Sequence, residues 1–125
     1  MSEAPGSIPA APSAPYLREV STRTDLVDWG VQPNAIQRGS HSSGKLIHKG
    51  PNNIPEAGLW VCTPGSWRLS IPRDELCHFV AGRATYLSDT GELIEVAPNT
   101  VIMFPGGWSG ACTVHETIRT IYMLV

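Results

Sequence analysis

The chain has 125 residues, 12 of them glycine and 11 proline, and 16% of the residues are charged. This length predicts a single domain, the glycine and proline content favours turns over long helices, and the small charged fraction excludes a fully disordered chain and a coiled coil. The net charge of −2 gives no reason to expect nucleic acid or an anionic membrane as a partner.

Residues 1–15 make up a tract rich in proline, alanine and serine with one charged residue, Glu3. Such a tract has almost nothing to bury, so we expect a mobile, partly extended tail. The N-terminus lacks the basic region and the apolar stretch of a secretory signal, and apolar runs such as 101–104 are too short to span a bilayer. We therefore expect a cytoplasmic protein without membrane contacts.

Residues 16–57 are predicted to form an N-terminal arm that packs on the domain after it. One helical turn is expected at 24–27 with Thr24 as its N-cap, and Gly30 and Pro33 prevent a longer helix. The rest of the arm is loop-rich. Its scattered apolar side chains must cover a surface, either on their own domain or on a partner subunit.

From residue 58 to the end of the chain, short segments with strand character recur about every 8–12 residues, separated by turn residues. The turn at 88–91 has the composition of a hairpin, and Gly91 suits a left-handed backbone position. The pattern predicts an antiparallel sandwich or barrel. The predicted strands are 59–62, 67–71, 75–80, 84–87, 92–96, Thr100–Phe104, 111–114 and 118–124.

The three cysteines, Cys62, Cys77 and Cys112, are an odd number and include no closely spaced pair. A disulfide framework and a structural zinc site both need paired cysteines. We therefore expect buried, unpaired thiols in a reducing compartment.

Two spaced motifs stand in the predicted strand region. Glu75 is followed after six residues by Gly82, and Asn99 is followed after five residues by Pro105 and a Gly-Gly pair. In this order and spacing, residues 58–125 resemble the cupin superfamily, specifically its compact branch of ureidoglycine aminohydrolase-like domains. The resemblance implies an all-β fold, a double-stranded β-helix forming a jelly-roll-like barrel, with the loop-rich arm in front of it.

The metal-binding positions of the cupin motifs depart from the family pattern. The two histidine positions of the first motif hold Leu69 and Ile71, or Arg68 and Ser70 in the longer spacing, and the histidine of the second motif is Gly110. The three-His-one-Glu site that the resemblance implies is thus reduced to its glutamate. We expect no cofactor, although a divalent metal at a different site, with His78 or His115 as ligand, stays open.

Glu75 and Cys77 are the candidate catalytic residues, since residues two apart share a face of a strand. The carboxyl group could act as a general acid or base and the thiol as a nucleophile, while a purely structural pair of buried groups stays the alternative. A buried Glu75 would need an arginine or hydrogen-bond donors. The candidate ligand pocket consists of Trp67, Arg68, Tyr86, Trp108, Cys112, Arg119 and Thr120.

The leading functional hypothesis is a small cytoplasmic cupin that binds a metabolite inside the barrel without the usual metal site. One alternative is a divergent metal-dependent enzyme, similar to an amidohydrolase, acting on a ureido or amide compound. A second alternative is a structural or regulatory dimerisation module. In each case we expect a homodimer held partly by the arm, because a barrel of about 65 residues has a thin core.

Overall fold

A computed structural model describes residues 12–125, so most of the predicted tail at 1–15 lies outside the described residues. The prediction of an all-β fold is confirmed. The described part of the chain consists of nine strands and one 3-10 turn, Pro51–Asn53. The strands are β1 (Val27–Val31), β2 (Ala35–Gln37), β3 (His41–Lys49), β4 (Glu56–Cys62), β5 (Gly65–Ser70), β6 (Glu75–Ser88), β7 (Leu93–Val96), β8 (Thr100–Phe104) and β9 (Ser109–Leu124).

Strand β9 lies at the centre of a curled antiparallel sheet. Its first half pairs with β5 and with the second half of β6, and its second half pairs with β4 and with the first half of β6. Strand β6 also pairs with β8 and β7, while β3 and then β1 extend the sheet beyond β4, and β2 extends it beyond β5. The arrangement therefore wraps strands around one interior.

The two longest strands, β6 and β9, each join two segments that the sequence predicts as separate strands. The prediction of a break is wrong because Gly82 forms part of a bulge instead of a turn. Its φ is +87°, and a Cβ atom there would clash with the carbonyl oxygen of Thr117. The register between β6 and β9 shifts at this point without interrupting the pairing, so both strands bend and continue.

The core fills the inner face of this sheet. Strand β8 shows the alternation directly, because Ile102 and Phe104 are buried while Val101 and Met103 are exposed. The prediction that the three cysteines are buried and unpaired is confirmed. Buried residues of the core cluster include Cys62, Trp67, Ile71, Cys77, Phe79, Tyr86, Ile102, Phe104, Cys112, Val114, Ile118 and Tyr122.

The arm contains more regular structure than its sequence predicts. The helical turn expected at 24–27 is absent, since β1 starts at Val27, and the stretch expected as a loop contains β3, which pairs along β4. The remainder of the arm contacts β3 and the barrel: Lys45 of β3 pairs with Asp25 (2.7 Å), and the Arg119 guanidinium donates to the Val20 carbonyl oxygen (3.1 Å). Among residues 12–125, no helix is long and apolar enough to cross a membrane.

Candidate functional site

A cavity of about 310 Å³ lies on the inner side of the curled sheet. Buried side chains such as Ile71 line its inner part, and exposed ones such as Ser70 and Pro72 stand at its rim. Its polar lining includes Gln32, Glu75 and the thiol of Cys77. Its aromatic lining consists of Trp29, Trp60, Trp67, Tyr86, Phe104 and Tyr122.

The pairing register of β6 explains why Glu75 and Cys77 line the same part of the cavity. Glu75 and Cys77 lie two residues apart at the start of β6, and both line the cavity. Glu75 lies opposite Phe104 of β8, and Cys77 lies opposite Tyr122 of β9. Because partners in register point to the same face, these four side chains converge. The predicted face shared by Glu75 and Cys77 is therefore present.

A segment from the arm, residues 27–37, completes the cavity and is called the strap here. It consists of β1, β2 and the short connection between them, and it supplies Trp29 and Gln32 to the lining. Trp29 packs over Gly44 so closely that a Cβ atom on Gly44 would clash with the indole ring. The Ser42 hydroxyl donates to Oε1 of Gln32 (2.8 Å). Both contacts hold the strap against β3.

The carboxyl group of Glu75 is half-buried and has no cationic partner among the described ion pairs. Burial raises its pKa, and the negative charge of Glu56 raises it further. Two effects oppose this rise: the Cys77 thiol donates to Oε2 (Sγ–Oε2, 3.6 Å), and Arg73 lies near enough to attract the carboxylate. The guanidinium of Arg73 is itself bonded to the Asn53 carbonyl oxygen (2.7 Å).

The environment of Cys77 favours a thiol over a thiolate. Burial raises its pKa strongly, and the adjacent charge of Glu75 and the hydrogen bond to it raise it further. Since the thiolate is the nucleophilic form, this position suits Cys77 as a hydrogen-bond donor to Glu75 better than as a nucleophile. His78, the next residue, is exposed and lies on the other face of β6.

Four of the predicted site residues line the cavity together: Glu75, Cys77, Trp67 and Tyr86. Trp67 is buried, and its indole Nε1 has no hydrogen-bond partner among the described residues. Tyr86 is buried, and burial raises the pKa of its hydroxyl well above the usual range.

Two predicted pocket residues lie behind the cavity wall. The ring of Trp108 packs 5.1 Å from the Phe104 ring and 6.1 Å from the Tyr86 ring, so it supports the lining without forming it. Cys112 is buried next to Tyr86, and burial raises the pKa of its thiol to about 12. Both residues can affect a ligand only through the aromatic rings in front of them.

Three further predicted pocket residues do not line the cavity. Arg68 pairs with Asp89 (2.7 Å), and Arg119 donates to the arm. The hydroxyl of buried Thr120 donates to the carbonyl oxygen of His78 (3.1 Å). Neither arginine pairs with Glu75.

Several residues that line the cavity were not predicted from the sequence. The sequence contains a usable signal for Phe104 and Tyr122, because both follow the alternation of buried and exposed residues along their strands. Trp29 and Gln32 had none, because they belong to a loop-rich arm whose pairing with β3 depends on distant residues.

The residues present do not fit the cupin metal site. The first-motif positions Leu69 and Ile71 contribute only apolar side chains to the cavity, and Gly110 contributes none. Within residues 12–125, no group of three or more His, Cys, Asp or Glu side chains could hold a metal ion. His115 is exposed and contacts the hydroxyl of Thr85 (Nε2–Oγ1, 2.8 Å).

Comparison with known proteins places this geometry in a family. Residues 50–122 match the EutQ-like cupin domain. A protein of unknown function from Pseudomonas syringae shares 15% identity and a TM-score of 0.74 over 82% of this chain, which spans only 45% of that protein. No protein of curated function is significantly similar in sequence.

Two further solved structures share the fold. The EutQ protein of Clostridium difficile has 16% identity and a TM-score of 0.59, with 68% of each chain covered. A cupin superfamily protein from Desulfitobacterium hafniense has 16% identity and a TM-score of 0.60, covering 91% of this chain and 93% of that one. The jelly-roll-like barrel predicted from the sequence is thus confirmed. Because the family match spans more than half of the chain, the protein belongs to the EutQ-like cupin domain family.

Proposed function

We propose that this cupin binds a small organic molecule in the cavity of its barrel and does so without a metal ion. The observation that carries the proposal is the cavity itself. Its volume of about 310 Å³ lies within the range of small-molecule sites, roughly 300–1,000 Å³. Such sites combine apolar and aromatic walls with a few convergent polar groups, as this cavity does with Glu75 and Gln32.

The free, buried thiols are compatible with action in the cytoplasm, which we propose as the location.

Calorimetric titration with a panel of small metabolites tests the proposal. A cavity-filling substitution, Leu69→Phe, should abolish the binding that the unmodified protein shows, because Leu69 lines the cavity. The matched control is Leu87→Phe, since Leu87 lies exposed on the outside of β6. Equal binding by both variants would place the ligand elsewhere and contradict the proposal, provided circular dichroism shows both to be folded.

A second candidate function is a divergent metal-dependent enzyme of the ureidoglycine aminohydrolase-like branch, acting on a ureido or amide compound. Glu75 favours it, because this residue occupies the acidic position of the cupin motif and lines the cavity. A carboxyl group with a raised pKa also suits general acid–base chemistry. Metal-free binding is the leading proposal, because within the described residues Glu75 belongs to no group of three or more side chains that could hold a metal ion.

Metal analysis separates the two candidates. Protein purified without added metal should contain well below one equivalent of Mn, Fe, Ni or Zn, because Glu75 and Cys77 alone leave such an ion short of ligands. A stoichiometric metal that survives dialysis would overturn the metal-free proposal and favour the enzyme.

A further inference from the structure

We infer that the ligand of this cavity is an organic cation, an amine or quaternary ammonium compound with a small apolar body, whose charge is balanced by Glu75. The inference rests on the proposed function, because it names the chemical class that the same cavity would take. Two properties of the cavity lining support the inference: its charge and its aromatic content.

The cavity carries an acidic side chain that no ion pair among the described residues neutralises. Among residues 12–125, Glu75 is the only lining residue with an ordinary acidic or basic side chain, and no Lys, Arg or His lines the cavity. A second carboxyl group lies close behind the wall, since Glu56 accepts a hydrogen bond from the hydroxyl of Tyr122 (2.9 Å). The nearest guanidinium, that of Arg73, is outside the lining and donates to Asn53.

A half-buried carboxylate without a cation is unfavourable, so this arrangement needs an explanation. A bound cation next to Glu75 would supply the missing partner. An anionic ligand would add a like charge to Glu75 and Glu56, and a neutral apolar ligand would desolvate Glu75 without pairing it. The charge of the lining therefore selects against both alternatives.

The aromatic lining fits the same class of ligand. Six of the side chains around the cavity are aromatic, and aromatic side chains attract ammonium groups through the negative faces of their rings. Trp60 and Trp67 stand almost perpendicular, with an interplanar angle of 83° and 6.1 Å between ring centroids. Trp29 from the strap adds a third indole to the lining, and several aromatic side chains around one space are the kind of surrounding that recognises quaternary ammonium groups.

Isothermal titration with two matched pairs of probes tests the inference. Each pair combines a cation with a neutral molecule of similar shape: choline with 3,3-dimethylbutan-1-ol, and 2-phenylethylammonium with 2-phenylethanol. We expect each cation to bind at least about tenfold more tightly than its neutral counterpart, as a charge-assisted contact and cation–π attraction predict. Benzene serves as a third, purely apolar probe.

The substitution Glu75→Gln removes the charge and keeps the shape of the side chain. It should weaken the binding of both cations at least about tenfold and leave the affinity for the alcohols within about twofold. The matched control is Glu92→Gln, which removes an exposed carboxyl group beside the hairpin turn. In the unmodified protein, choline binding should also tighten as the pH rises and Glu75 ionises, which gives a readout that needs no variant.

The outcomes distinguish this inference from the proposed function. If the alcohols or benzene bind as tightly as the cations, or if Glu75→Gln leaves cation binding unchanged, the ligand class is wrong and the cavity remains a binding site. If choline binding does not change with pH, Glu75 is not the counter-ion and the inference fails. If neither the cations, the alcohols nor benzene bind, both the inference and the proposed cavity function are overturned.

Discussion

Glu75 combines a position at the cavity wall with an environment that favours its protonated form. Burial is the largest cause, and Glu56 adds to it, while Cys77 and Arg73 only partly oppose it. A group that destabilises the ligand-free fold is typical of a binding site, where the partner is missing until the ligand arrives.

The pH dependence of stability follows from this raised pKa. The ordinary pKa of the group is 4.5, and in the folded protein it is higher. Between these two values the folded state binds more protons than the unfolded state, so the free energy of unfolding falls as the pH rises through this window and then levels off. Glu75→Gln should lack this fall, and its stability relative to the unmodified protein should rise with pH.

Urea denaturation at several pH values between about 4 and 8 measures this difference, with Glu92→Gln as the control. If the Gln variant instead loses stability relative to the unmodified protein as the pH rises, the folded protein stabilises the carboxylate and the assignment is wrong.

The hydroxyl of Tyr122 forms a partly buried hydrogen bond to Glu56 Oε2 (2.9 Å) at the edge of the cavity. Tyr122→Phe should lower the free energy of unfolding by about 1–2 kcal/mol, since it removes a partly buried hydrogen bond to a carboxyl oxygen. The control is Tyr16→Phe, because Tyr16 is 74% exposed and makes no such bond. Equal midpoints of denaturation for the two variants would show that the bond contributes nothing.

At the scale of elements, the bends in β6 and β9 allow each of these two strands to pair with different strands along its first and second halves. The first half of β6 pairs with β8 and the second half with β7, and Gly82 marks the change of register. Its positive φ and its close approach to Thr117 both require glycine.

Two glycine substitutions separate backbone strain from steric contact. Gly91 has a φ of +97°, and a Cβ atom added there would have no neighbouring atom within 4 Å, so Gly91→Ala should cost only about 1–2 kcal/mol. Gly82→Ala should cost roughly twice as much or more, because its Cβ would also meet the Thr117 carbonyl oxygen. Thermal and urea denaturation of both variants checks the order, and equal losses would show that the bulge relaxes freely.

At the scale of the whole molecule, the outer face of β8, β6 and β9 carries exposed apolar side chains. Across the sheet, Met103, Leu76 and Met123 form one row, and Val101 lies in the next row beside the exposed His78. Val101 and Met103 are 59% and 54% exposed. By contrast, Leu59 and Val61 of β4 are buried although they do not belong to the core cluster, and β4 lies next to β3 of the arm.

We propose that this outer face forms the interface of a homodimer. Light scattering should give twice the chain mass of 13.5 kDa at micromolar concentration, and an interface above roughly 1,000 Å² would be needed for a stable pair. Met103→Lys should produce a monomer, because it places a charge in the row of exposed apolar side chains. Leu93→Lys is the control, because Leu93 is exposed on β7, outside these rows. A monomeric unmodified protein would contradict the dimer.

Local patterns in the sequence were enough to predict the all-β fold, the strand Thr100–Phe104, the left-handed Gly91 and the common face of Glu75 and Cys77. Each of these depends on residues that are close in the chain: a period of two for strands and the conformational freedom of glycine for turns. The motif spacing around Glu75 and Gly82 also predicted the cupin superfamily, which is confirmed, whereas the ureidoglycine aminohydrolase-like branch stays a prediction.

The tertiary structure alone decided how the arm contributes to the site. Strand β3 forms because β4 offers it a pairing edge, and the strap reaches the cavity because Trp29 packs over Gly44. The sequence does not predict that Glu75 lacks an arginine partner within the described residues, since it does not determine whether Arg68 and Arg119 point toward Glu75 or toward the Asp89 and Val20 partners that they have. These features depend on contacts between residues far apart in the chain, and a local pattern carries no information about which distant residue a side chain contacts.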